Sequence, residues 1–346
     1  MMMTVLVSKP KTEERPSAAA RPSHFSVSGL TGSPDFMLIL RLENAHLKRS
    51  AKDLHVKRCY AHEGRRKVSS GKALRLCGVI VVALGTLYAF QIPFREFNGV
   101  EYRIGEIPRP VDWMEPTEWA FARLMYPPAA YARGFGFRYG SGRWTEGFSI
   151  WTQDYPRADR HFVQALRRLT RIHVRSVEQP VNLDEGGEYD WPWLYAVQTG
   201  SWRLTDSQAS ALREFLLRGG FFMCDDFWGD EGWETFVESM QRVFPDRPIV
   251  ELENADQIFH TVYDLDDRYQ VASEGSVMRG RTDKCEGCRD HWRGIYDDRG
   301  RLMVAMTFNS DVGDSWEWAD APYYPEKYAA LGIRIGVNYV VYAMTH

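Results

Sequence analysis

The sequence has no surplus of positive charge: across 346 residues the formal net charge is −3. Nucleic-acid binders need a concentrated basic face, so no nucleic-acid partner is expected. No internal repeat is present, which argues against a solenoid or a propeller. Long uncharged apolar runs are scarce, and the one that stands out lies before residue 100. What is present in quantity is aromatic surface. Phe, Trp and Tyr make up 14% of the chain, with 12 Trp and 17 Tyr. Such large side chains suit a big core first, and a sugar-binding or protein-binding surface second. Hydrophobic residues at 44% and charged residues at 26% are ordinary for a folded body, and the length allows one large or two ordinary domains.

The near-neutral total conceals a lopsided chain. Residues 1–72 are rich in Ser, Ala, Lys and Arg, with Lys48-Arg49, Lys57-Arg58 and Arg65-Arg66-Lys67 among them. A basic segment with few periodic apolar positions buries too little surface to offset its ordering entropy. It is expected to lack a fixed fold, apart from a short helix in Asp35–His46. The run from Leu76 to Ile92 is uncharged, and extending it through Phe94 gives a length that spans a bilayer. A transmembrane helix is therefore expected over 76–94. Basic residues crowd its N-terminal side, so the positive-inside rule puts the N-terminus in the cytoplasm. The expected topology is a single pass through the inner (cytoplasmic) membrane with the C-terminal domain extracytoplasmic, where a membrane or periplasmic protein is the expected partner. A buried core helix and a cleaved signal peptide are the alternatives.

From Thr117 to His346 short apolar runs alternate with amphipathic stretches. Strands are expected at Trp119–Tyr126, Ile172–Val174, Leu194–Val197, Phe221–Cys224 and Arg301–Phe308. Helices are expected at Arg157–Arg171, from Thr205 to Gly219, from about Gly232 to Val243, and over Lys327–Met344. Thr205 and Gln208 have the spacing of a capping box. Strand–helix alternation of this kind predicts an α/β domain with a doubly wound, mostly parallel sheet.

The candidate site follows from that fold. Ligands of open parallel sheets bind outside the carboxyl ends of the strands, and Asp225 and Asp226 stand where Phe221–Cys224 stops. Several carboxylates at one point hold Mg²⁺ or Ca²⁺, and one with a raised pKa serves as a general base. The alternative is capping of the following helix, which also accounts for Asp230, Glu231 and Glu234. Asn309, Asp311 and Asp314 follow the late strand and are expected at the same edge. Their alternation around Gly313 lacks the EF-hand spacing and terminal Glu, so a structured turn is the alternative. Trp316 would offer a wall for a sugar or peptide, or simply pack. Cys285, Cys288 and His291 give three of the four ligands zinc requires, and a local Cys285–Cys288 disulfide accounts for the cysteines equally well.

Five groups of residues together resemble the domain-of-unknown-function 4159 family. They are Phe121-Ala122-Arg123-Leu124-x-Tyr126, Trp151-x-x-Asp154-Tyr155-Pro156-x-Ala158-Asp159, Gly219-Gly220-Phe221 with Asp225-Asp226, Asn309-x-Asp311-x-Gly313-Asp314-x-Trp316-Glu317-Trp318, and Gly336-Val337-Asn338-Tyr339-x-x-Tyr342-Ala343. The resemblance runs from about Glu118 to His346. It implies a flavodoxin-like sheet similar to the class I glutamine amidotransferase group, and no established activity or cofactor. Amidotransferase chemistry needs a Gly-x-Cys-x-Gly elbow and a downstream His-x-Glu. Here Cys224 is followed by Asp225-Asp226-Phe227 and no such His-x-Glu exists. Two readings remain: a module binding a ligand or protein partner at the Asp225/Asp226 edge, and a hydrolase of a sugar or amide using these residues with a divalent metal or His260.

Overall fold

A strand buried on both faces reads as a continuous apolar run, and Phe221–Cys224 is the clearest case; the strand continues through Asp225 and Asp226 to Phe227 with every residue buried. The computed structural model describes residues 93–133 and 143–346. Among them are seven strands, β1 (Ala122–Met125), β2 (Gln179–Asn182), β3 (Trp193–Ala196), β4 (Phe221–Phe227), β5 (Val250–Glu251), β6 (His291–Tyr296) and β7 (Leu302–Phe308). They form one sheet in the order β2-β1-β3-β4-β7-β6-β5. The first five in that order are parallel; β6 pairs antiparallel with β7, and β5 pairs antiparallel with β6.

Six α-helices among the described residues accompany the sheet: α1 (Arg157–Leu169), α2 (Asp206–Leu217), α3 (Gly229–Val243), α4 (Glu274–Met278), α5 (Val312–Glu317) and α6 (Glu326–Thr345). Successive strand residues point to opposite faces, so each strand feeds two cores. Leu194, Phe222, Cys224 and Met306 pack with α2 and α3 through Leu212, Phe215, Phe236 and Met240. Trp193, Tyr195, Phe221 and Met223 pack with α1, α5 and α6 through Phe162, Trp316, Leu331 and Ile335. Helices on both faces of a mostly parallel sheet make this an α/β domain.

Local signals explain most boundaries. Thr205 accepts from the Gln208 amide while the Gln208 side chain returns to the Thr205 amide, the full capping box of α2. Gly219 leaves that helix at φ +114°, a value side-chain-bearing residues avoid. Three expectations need correction. Ile172–Val174 is not a strand but a single bridge from Val174 to Trp119. Residues 119–126 shorten to β1, because the chain leaves the sheet beyond Met125. β2, β5 and β6 were not anticipated; Gln-Pro-Val-Asn reads as a turn, yet β2 lies at the sheet edge, where a proline needs no ladder partner.

The transmembrane helix expected over 76–94 is also corrected, together with the single-pass, extracytoplasmic placement drawn from it. No helix among the described residues is long and apolar enough to cross a membrane. Residues 76–92 lie outside the described residues, as does the whole of 1–72, and Pro93 and Phe94 at the expected C-terminal end are not helical. Phe94 instead packs on Trp113, with ring centroids 5.6 Å apart, and beneath Arg175. Residues 93–116 belong to the same packing, for Phe97 meets Trp151 edge-on at 5.4 Å and Asn98 bridges Gly147.

Candidate functional site: an acidic crevice at the carboxyl edge of the sheet

Beyond the carboxyl ends of β3, β4 and β7 lies a cavity of about 210 Å³ whose lining includes Glu101, Asp154, Asp226, Lys284, Asp311 and Asp314. A second of about 310 Å³ adjoins it, sharing Gln198, Asp226 and Lys284 and adding Tyr131, Ser201, Trp228 and Glu231. This is the edge at which α/β sheets hold ligands. Five described non-glycine residues have positive φ, and four of them ring this edge: Asp154, Gln198, Asp226 and Asn309. Such conformations cost free energy and concentrate at functional sites.

Asp225 and Asp226 take different tasks, and neither is the helix cap offered as the alternative. β4 continues through both, with a register shift between Cys224 and Phe227 that turns Asp226 out of regular pairing. Asp225 points inward. It accepts from the Gly313 amide at 2.6 Å, the Val312 amide at 3.2 Å, Tyr195 Oη at 3.1 Å, and Thr307 Oγ1. It thereby fixes the N-terminus of α5 to the sheet. Burial, followed by the nearby Asp311 charge, pushes its carboxyl up to about 7. Asp226 faces the crevice and accepts from Trp228 Nε1 at 2.6 Å, Gln198 Nε2 and Lys284 Nζ. Burial and Asp311 drive its carboxyl well above the ordinary range, Lys284 opposing them. Neither caps α3; the Gly229 amide donates to Asn309 Oδ1 at 2.8 Å instead.

The loop after β7 brings the expected acids together. Asp311 caps α5, accepting from the Asp314 amide at 3.0 Å. Its other oxygen lies 2.8 Å from Lys284 Nζ, an ion pair without hydrogen-bond alignment, so that oxygen has no hydrogen-bond donor. Asp314 accepts from the Glu274 amide at 2.6 Å. Burial and then Asp311 raise its carboxyl strongly, whereas Asp226, Asp311 and Asp314 hold the Lys284 ammonium well above its usual value against the opposing effect of burial. Gly313 admits this convergence: a Cβ there would stand 2.7 Å from Tyr195 Oη and 2.8 Å from Asp154 Oδ2.

Three carboxylates of the crevice were not anticipated as site residues. Asp154 is buried, and no described donor reaches its carboxylate. Burial, with Asp314, Glu317 and Glu101 around it, raises its pKa strongly. Its position comes from β1, where the buried Arg123 grips Asp159 of α1 and the carbonyls of Trp151 and Gln153, each at 3.1 Å. Glu101 accepts from the Asp154 amide at 2.9 Å and from Gln153 Nε2. Glu317 accepts from Tyr102 Oη, has its second oxygen buried without a partner, and is pushed up to about 8 by burial and by Glu101. Oxygens of Glu101, Asp154 and Glu317 lie within 4.8 Å of one another, and so do those of Asp154, Asp311 and Asp314. The one available signal was the Asp154-Tyr155-Pro156 and Trp316-Glu317-Trp318 groups, in which charged residues stand among aromatics.

Other expected site residues lie elsewhere. Trp316 is fully buried, stacked on Phe162 with centroids 4.5 Å apart; its neighbour Trp318 lines the crevice instead. Cys285 and Cys288 form a disulfide, so neither offers zinc a thiolate, and His291 turns to Glu251 at 3.1 Å. That disulfide staples the loop carrying Lys284. His260 bonds Asp264 and the Asn254 carbonyl away from the crevice lining. Asp230, Glu231 and Glu234 are exposed along α3.

Residues 142–344 match the family described as Domain of unknown function (DUF4159), more than half of the chain, and the chain belongs to that family. No curated protein matches it at a significant level.

Proposed function

We propose that this member of the family is a ligand-binding module whose crevice takes a hard divalent cation, and through it a polar ligand seated in the adjoining cavity. The observation that carries the reading is Asp154, a buried carboxylate without a hydrogen-bond donor among four other acids. A buried carboxyl without a partner takes up a proton, and it is held as an anion only when it is paired or coordinates a metal. Lys284 already serves Asp226 and Asp311, and Arg123 serves Asp159, so neither answers Asp154. Carboxylate oxygens are the donors that Mg²⁺, Mn²⁺ and Ca²⁺ prefer, and a spread of up to 4.8 Å suits the diameter of a Ca²⁺ shell with bonds of about 2.4 Å.

The strand order supports the finer reading of the fold as flavodoxin-like and similar to the class I amidotransferases. β2-β1-β3-β4-β7 follows the order 2-1-3-4-5, with β7 in fifth place and β6 and β5 added through antiparallel pairings. Amidotransferase chemistry has no support, because Cys224 is a buried β4 residue whose thiol burial drives well above its usual pKa.

A hydrolase of a sugar or amide is the second reading. It is favoured by two acids that burial brings near neutral pH, Asp225 up to about 7 and Glu317 up to about 8. Asp225 has its oxygens engaged by four donors, so Glu317 is the acid–base candidate. Turnover of nitrophenyl glycosides or anilides with Mn²⁺ present, lost in Glu317→Gln, would establish this reading; no turnover leaves binding.

Thermal melting of the full chain tests the first reading. After treatment with chelator, 1 mM Ca²⁺, Mn²⁺ or Mg²⁺ should raise the melting temperature. A dissociation constant near 10 μM corresponds to about 2.7 kcal/mol, or roughly 5–10 °C for a domain of this size. Asp154→Asn should abolish the shift. Unchanged melting in all three ions sinks the proposal.

A further inference from the structure

We infer that the crevice holds two divalent cations bridged by the Asp154 carboxylate, one on Glu101 and Glu317 and the other on Asp311 and Asp314. The inference rests on the cation-binding reading above and specifies its stoichiometry. Two groups of three carboxylate oxygens satisfy the spacing of a metal shell, and Asp154 is common to both.

The hydrogen bonds distinguish the shared residue from the other four. Each outer carboxylate is oriented by a donor. Glu101 is held by the Asp154 amide, Glu317 by Tyr102 Oη, Asp311 by the Asp314 amide and Asp314 by the Glu274 amide. Such partners fix metal ligands while leaving lone pairs for the ion. Asp154 alone has no donor to its carboxylate among the described residues, although its Oδ2 is fully buried. A terminal ligand spends one oxygen on the metal and commonly offers the other to a donor. A bridging carboxylate spends both on metals and has none to offer.

Charge leads to the same count. Glu101, Asp154, Asp226, Asp311, Asp314 and Glu317 have one ammonium among them, that of Lys284. The Arg279 guanidinium also lines the cavity; with all six acids ionised, as metal ligands are, four negative charges remain, one dication leaves two and two leave none. Arg157 stands near Glu317 but pairs with Asp320 at 2.7 Å. Carboxylate-bridged ions of this kind sit about 3.5–4 Å apart in two-metal sites, where both engage one oxyanion. The ligand entering from the Gln198 and Trp228 side is accordingly an oxyanion, such as a carboxylate or phosphate group.

The test is metal stoichiometry on the full chain, by equilibrium dialysis with elemental analysis for Mn²⁺ and Ca²⁺, and by electron paramagnetic resonance for Mn²⁺. Two equivalents per chain and an exchange-coupled Mn²⁺ pair are expected. Glu317→Gln and Asp314→Asn should each retain one equivalent and return the six-line spectrum of an isolated ion, while Asp154→Asn should lose most of both. One equivalent in the unaltered chain, or two without coupling, overturns the bridged pair while leaving cation binding intact. No bound metal overturns both. Because the unaltered chain decides between these outcomes, a variant that fails to fold does not rescue the inference.

Discussion

Asp225 makes the stability of the cation-free domain depend on pH in an unusual direction. An aspartate in an unfolded chain titrates near 3.8, and in the folded domain burial and Asp311 move this one to about 7. Between those values the folded state holds a proton that the unfolded state has released, so stability falls as pH rises. The contribution is fully present below about pH 4 and lost as pH passes 7. Three units correspond to about 4 kcal/mol, on the order of 10 °C in melting temperature. Other crevice acids with raised pKa slope the same way, so the assay must isolate Asp225. Asp225→Asn keeps the shape and removes the titration, at a cost near neutral of one mismatched donor where Val312 or Gly313 points its amide, about 1–3 kcal/mol. With chelator present, the variant should melt below the parent at pH 5, and the gap should close or reverse by pH 8. Melting curves that stay parallel from pH 5 to 8 would refute the account, and Asp225 would then be held by its four donors without a charge penalty.

Three further outcomes follow from named contacts. Arg123→Met leaves Asp159 buried and unpaired and frees the loop carrying Asp154; a loss of about 3–5 kcal/mol, read by chemical denaturation, is expected together with weaker cation binding. Lys284→Met removes the internal cation, so melting without added metal should fall and the metal-induced rise should grow; an unchanged metal response would show that Lys284 does not compete for the crevice. Gly313→Ala sets a methyl against Tyr195 and Asp154, and calorimetry should find at least tenfold weaker cation binding with the fold retained by circular dichroism.

Much of the fold was legible because its signals are local. The apolar run of β4, the Thr205–Gln208 box and the amphipathic spacing of α1 each act within about a dozen residues. β2 escaped because Gln-Pro-Val-Asn has no strand character of its own; it is extended because β1 offers it a parallel partner and the edge position tolerates its proline. β6 escaped for a related reason, since His291–Tyr296 alternates in burial along the antiparallel border and follows a loop with polar composition. The run before Phe94 misled by composition: an apolar stretch measures length and hydropathy, and the structure packs its last residue against Trp113 rather than continuing it as a helix.

The site divides along the same line, and the division bears on what kind of site it is. Asp226, Asp311 and Asp314 were legible because a sheet announces its carboxyl edge through strand ends alone. Asp154, Glu101 and Glu317 depend on packing between distant segments: Arg123 reaches from β1 to the loop ahead of α1, Glu101 arrives from the chain before Thr117, and Glu317 ends α5 with Tyr102 beside it. Local pattern therefore reveals the half of the crevice built on the sheet and conceals the half built by loops. A purely structural cluster would need only the first half, in which Asp225 anchors α5 and Lys284 neutralises Asp226 and Asp311. The second half places three more carboxylates against the first with Glu101 spent on orienting the Asp154 amide and no cation assigned to Asp154 itself. Folding alone gains nothing from that arrangement, because each added buried charge raises its neighbours' pKa and lowers stability at neutral pH. A binding site gains from it, since an arriving dication removes the same penalty.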